Sequence, residues 1–202
     1  MHKGNGMQKD KKEDFLKRYR DADADTRLSL MLDNYSVFPK VIRKAEKKTE
    51  YRIKSEREFL RSHSRGELGI RVQIFNTSNP TQNEAIADVS LEEAFKTGEF
   101  DESLLKGIEN SECYEEEIRI IGIMKMDFEL LEEIIEDLDT DESRLIKRYL
   151  LEGKMYKEIA DEENKSYDAI KKRMEKIRGK IHDEMIECLK MNCWREKRYE
   201  SG

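Results

Sequence analysis

The run LIKRYLLEGKMYKEIADEENKSYDAIKKRMEKIRGKI, residues 145–181, decides the fold, because its apolar residues return every three or four places between clear stop signals. Leu145, Ile146, Tyr149 and Leu150 share one side of a helix. That helix begins near Asp139 or Thr140, where Asp139 and Glu142 have the spacing of a capping pair, and it stops at Gly153, a residue suited to a left-handed end. A short second helix, MYKEIADEE, turns Tyr156, Ile159 and Ala160 inward. Asn164 tolerates a turn with positive φ, and Ser166 caps a long third helix. Its apolar residues Ile170, Met174, Ile177, Ile181 and Met185 form a single face.

At 100° per residue this face leaves Asp168, Lys171, Lys172 and Glu175 pointing away from the core, with Ala169 and Lys176 on the flank. Residues 171–180 hold six basic side chains against Glu175 alone. A helix that reads DNA needs a short companion across a tight turn to fix its angle, and long polar side chains in its first two turns to reach base edges. The candidate DNA contacts are therefore Lys165, Ser166, Tyr167, Asp168, Ala169, Lys171, Lys172, Glu175 and Lys176. Lys171 and Lys172 suit guanine acceptors or phosphates, and Tyr167 suits the backbone. Asp168 accepts from cytosine and repels a misplaced phosphate, while the amides near Ser166 and Tyr167 suit a phosphate. Lys176, Arg178 and Lys180 read as phosphate contacts or as solvated surface, and Arg173 as packing or an ion pair. The bland alternative is an all-helical domain with a solvated charged face.

Residues 145–181 resemble region 4 of sigma-70 type RNA polymerase factors, in the RYLLEG helix end, in YKEIAD and in the capping Ser166 ahead of Ile170 and Lys171. The likeness extends from near Phe128 to near Met185. It implies a helix-turn-helix that binds promoter DNA and contacts RNA polymerase. The match departs at Glu163 and Lys165, which flank the turn and are apolar in most relatives; the turn then needs an anchor elsewhere. No promoter-melting aromatic helix precedes it, so a whole sigma factor is not expected. The segment RGELGIRVQIFNTSNPTQNEAI, followed by an acidic helix and this C-terminal region, is similar in layout to phage regulators of the ArpU type. That layout implies control of late genes on a phage or prophage.

Outward from this region, the first 65 residues read as a helical hairpin or bundle. Phe15, Leu16 and Tyr19 share a face, as do Leu28, Leu30, Met31, Leu32, Tyr35 and Phe38. Asp25 or Thr26 suits the cap of the second helix, Pro39 interrupts or kinks the chain, and Val41, Ile42, Ala45, Tyr51 and Phe59 resume the period. Ile70–Phe75 is the one β-like stretch, and residues 83–96 suit a short helix ending before Gly98. In IRIIGIMKMDF, residues 118–128, the apolar residues are too crowded for one stripe and must be covered by other helices or by a subunit contact. The acids around it, Glu112, Glu115, Glu116 and Glu117, then Glu132, Glu133, Glu136 and Asp137, read as a wet face. The expected division is 1–65 helical, 66–100 linker or small module, 101–127 connecting helix and 128–202 DNA-binding domain, mainly α throughout.

The chain has 202 residues, 37% hydrophobic and 42% charged, with a net charge of -6. Basic and acidic residues number 19 and 12 over 1–80, 4 and 19 over 81–140, and 16 and 14 over 141–202, so the net acid sits in the middle. No apolar run has the length of a membrane span, and no secretory leader is legible, so a cytoplasmic protein without a membrane partner is expected. Cys113, Cys188 and Cys193 lack CxxC spacing, and His182 with Cys188 and Cys193 fits no closed zinc site. Neither metal nor cofactor is expected. No phosphate-binding loop, HExxH helix or nucleophile elbow is present, so no catalytic residue is assigned and an enzyme is the poorest fit. The leading expectation is a sequence-specific regulator bound to promoter DNA. The alternatives are a packaging adaptor like a phage small terminase subunit, and a module that docks on RNA polymerase without DNA. A homodimer would double a short half-site.

Overall fold

The computed structural model describes residues 15–67, 80–99 and 102–191, and these are all-helical, with no strand among them. The helices are α1 (Phe15–Asp21), α2 (Ala24–Asp33), α3 (Phe38–Glu67), α4 (Pro80–Thr97), a short 3-10 turn at Glu102–Leu105, α5 (Ser111–Asp137), α6 (Thr140–Glu152), α7 (Tyr156–Glu162) and α8 (Tyr167–Met191). The β-like stretch at residues 70–75 lies outside the described residues.

Local chemistry sets most of the ends. The cap of α2 is Asp23 rather than Asp25 or Thr26: its extended backbone lets the carboxylate accept from the Thr26 amide at 2.8 Å. Pro39 neither breaks nor kinks the chain, because it falls in the first turn of α3, where its missing N–H costs no helical hydrogen bond. Residues 34–37 form the turn before it.

Helix α5 is the spine, packed against α1, α3, α4, α6 and α8. This explains its crowded apolar sequence: Ile118, Ile120, Ile121, Met124, Phe128, Leu131, Ile134 and Ile135 are buried on different sides under different neighbours. Gly122 permits a close backbone approach of α4. A Cβ built there would lie 2.5 Å from Cα of Gly98, which ends α4 with φ +74°.

The expected boundary between 127 and 128 falls inside α5, which runs unbroken from Ser111 to Asp137. Phe128 stacks on Phe38 with centroids 5.1 Å apart and meets Tyr35 at 5.2 Å, so it belongs to the packing of the N-terminal helices. One hydrophobic cluster runs from Leu16 to Leu189. The division into segments tracks composition, whereas the core is continuous because α5 serves both halves.

Two acids expected on a wet face are structural. Glu116 accepts from Arg20 of α1 at 2.8 Å, and Glu117 accepts from Thr49 of α3 at 2.6 Å and pairs with Arg52. Glu132, Glu133, Glu136 and Asp137 are exposed, in line with the expectation for that group. No described helix is long and apolar enough to cross a membrane.

Candidate nucleic-acid interface

The C-terminal three helices are assembled by a few local devices. Leu145, Ile146 and Leu150 bury one side of α6, and Gly153 then takes φ +67° while donating to the Arg148 carbonyl. Asp139 precedes α6 but makes no side-chain cap, and the expected pairing with Glu142 does not form. Glu142 accepts instead from Lys180 of α8 at 2.6 Å, a tie between the two helices.

Helix α7 opens where the Met155 amide donates to Glu158 at 2.7 Å, and it buries Ile159 and Ala160. Asn164 takes φ +51°, the left-handed conformation expected of it, and the Lys165 amide closes the turn on the Ala160 carbonyl at 3.0 Å. Ser166 Oγ then accepts from the Ala169 amide at 3.2 Å and starts α8. Ile170, Met174, Ile177, Ile181, Met185 and Leu189 are fully buried, which fixes the rotation of α8 about its axis.

With that rotation fixed, Lys165, Ser166, Tyr167, Asp168, Ala169, Lys171, Lys172, Glu175 and Lys176 all stand exposed on the solvent side. Tyr167 keeps half of its surface open. The cations are not equivalent. Lys165 is tied to Glu163 at 2.9 Å, and Lys171 lies 3.8 Å from Glu175, whereas Lys172 and Lys176 have no ionic partner among the described residues. Gly179, one turn beyond Glu175, has nothing within 4 Å of where a Cβ would be, so the outward face continues there as bare backbone.

Three cations counted in the basic run are occupied by the fold. Arg173 reaches Asp141 at 3.8 Å, as an ion pair of the kind expected for it. Arg178 lies over the Tyr149 ring, 5.5 Å from its centroid, and Lys180 holds Glu142, so neither stands free as a phosphate contact. All three reach partners on α6, which packs directly against α8.

The anchor of the turn is ionic. Glu163 is largely covered, accepts from Arg148 Nη1 at 3.0 Å and lies 3.6 Å from Arg144, while Glu162 pairs with Arg148 and accepts from Lys154 at 2.8 Å. Hydrogen bonding from Lys165, with the charges of Arg144 and Arg148 adding to it, holds the Glu163 carboxyl below its ordinary pKa. Tyr149 and Tyr156, with centroids 5.1 Å apart, close the α6–α7 contact above it. The acid that departs from the apolar pattern at this position thus finds two arginines one helix away. Sequence reasoning did not find them, although Arg144 and Arg148 stand one turn apart on α6.

The surface of α7 beside this face is mixed, with Lys157 exposed among Glu158, Asp161 and Glu162. No cluster of His, Cys, Asp and Glu able to hold a metal is present among the described residues. Comparison with protein-family models, with curated proteins and with solved structures finds nothing that matches this chain.

Proposed function

We propose that the protein is a sequence-specific DNA-binding regulator of transcription, with α7, its turn and α8 acting as a helix-turn-helix and α8 entering the major groove. One observation carries this reading: the first two turns of α8 project polar side chains to solvent while every apolar residue beneath them is fully buried. Such a helix presents Asp168, Lys171, Lys172, Glu175 and Lys176 to base edges at an orientation the core holds rigidly. Lys172 and Lys176 supply the unpaired positive charge. Asp168 and Glu175 restrict it, since an acid near the duplex rejects wrong registers more than it adds affinity. The first-turn amides of Tyr167 and Asp168 have no intrahelical acceptor and suit a phosphate. The word transcription rests on the resemblance of residues 145–181 to sigma-70 region 4, and the ArpU-like layout supports a phage or prophage setting.

The test is selection of sites from a random duplex pool, followed by anisotropy titration of the recovered motif. Wild type is expected to enrich a short motif. Lys172→Ala with Lys176→Ala is expected to weaken binding about tenfold or more, which is about 1.4 kcal/mol, and to lower the salt slope by about 2. The same change should leave helicity intact. Absence of any enriched motif, or equal binding by wild type and the double variant across a salt series, overturns the reading.

A further inference from the structure

A second row of positive charge runs along α3. At 100° per residue, Lys40, Lys44, Lys47 and Tyr51 fall within about 60° of arc, and Arg43 flanks them. The four cations are exposed, and none has an acidic partner among the described residues. The neighbouring acids are engaged elsewhere: Glu46 pairs with Lys125 of α5, and Glu50 with Lys54 at 2.9 Å. Tyr51 continues the row with 73% of its surface open. On the opposite side of α3, Phe38, Ile42 and Ile53 are buried in the core, which fixes the row outward.

We propose that this row is a second docking surface, for the phosphate backbone of duplex DNA. Charge complementarity carries the choice. Lys40 to Lys47 spans about 10 Å of helix, and the same length of duplex axis carries about six phosphate charges. A lipid surface fits less well, because the apolar side of α3 is already committed to the core and cannot enter a bilayer. Four cations on a rigid helix gain affinity from phosphates without reading bases, and the Tyr51 hydroxyl adds a neutral donor. The row therefore supplies sequence-independent attraction. The proposal rests on duplex DNA as the ligand, and it does not require α8 to be the element that reads it.

The experiment uses the full chain and a labelled 30-base-pair duplex of mixed sequence, titrated by anisotropy between 50 and 200 mM KCl. The variant K40Q/R43Q/K44Q/K47Q removes only exposed, unpaired charge, so its circular dichroism and Tm should match wild type. Its plot of log affinity against log salt should be shallower by about 3 to 4, with affinity at 50 mM reduced more than tenfold. The variant K44E/K47E alters half the surface and should move both readouts the same way, whereas K40R/K44R/K47R should retain them. A fourfold variant with the wild-type slope and affinity overturns the proposal, and so does a wild type that binds vesicles containing phosphatidylserine but not the duplex. If K172A/K176A abolishes motif preference while the α3 variants bind as wild type, only the α3 surface fails. The reverse pattern sinks the α8 reading and leaves this surface standing.

Discussion

Arg27 and Asp127 are both buried, one on α2 and the other on α5, with their charged atoms 4.0 Å apart. Tyr19 joins them, donating its hydroxyl to Asp127 at 2.8 Å and offering its carbonyl to Arg27 Nε at 3.0 Å. Removing one partner strands the other in a dry site, so Asp127→Asn should cost about 3–5 kcal/mol in a denaturant titration. Glu163 supplies a milder, pH-dependent term. Its pKa is lower folded than unfolded, so its contribution is present above the ordinary carboxylate pKa and is lost as pH falls through the lowered value. Wild type should therefore melt higher than Glu163→Gln at pH 7, and the gap should close as pH is taken below about 4. A gap that persists unchanged into acid would remove the charge-based account of the turn.

At the scale of elements, the crossing of α4 and α5 depends on Gly122. A methyl group there would meet the backbone of Gly98, which cannot rotate aside, so Gly122→Ala should destabilise by about 1–3 kcal/mol, read as a fall in Tm without loss of helical signal at low temperature. The helices themselves were legible where the signal is local. The stripe from Ile170 to Met185, the turn at Asn164, the Ser166 cap and the stop at Gly153 all follow from spacing within a few residues, and the structure places them as the spacing predicts. What spacing could not supply was the partner of each charge. Glu117 reads as a wet residue until Thr49 and Arg52, more than sixty positions away, arrive beside it. Arg178 and Lys180 read as free cations until α6 claims them. The outward face of α8 was therefore predictable from periodicity, while its net charge, carried by Lys172 and Lys176, was not.

For the whole molecule, the consequence of a shared spine is cooperative folding. Helix α8 packs on α2 as well as on α5, and the His182 ring bonds Asp25 across that contact at 2.9 Å. A fragment beginning at Phe128 would lose residues 111–127, nearly two thirds of α5, and the cover that α2 gives α8, exposing part of the buried face of α8. Expressed alone, residues 128–191 should show weak helicity and self-association by gel filtration, whereas residues 15–191 should unfold in one transition. A well-folded, monomeric 128–191 fragment would show that the C-terminal helices form a core of their own.

Helices α3 and α8 are both fastened to α5, with no hinge in the 27 residues of that helix. On the two proposals above, the separation of the charged faces is accordingly held by α5. Whatever spans them must arrive with the right separation or bend to reach it, and the energy of that bending would be set by the ligand's stiffness.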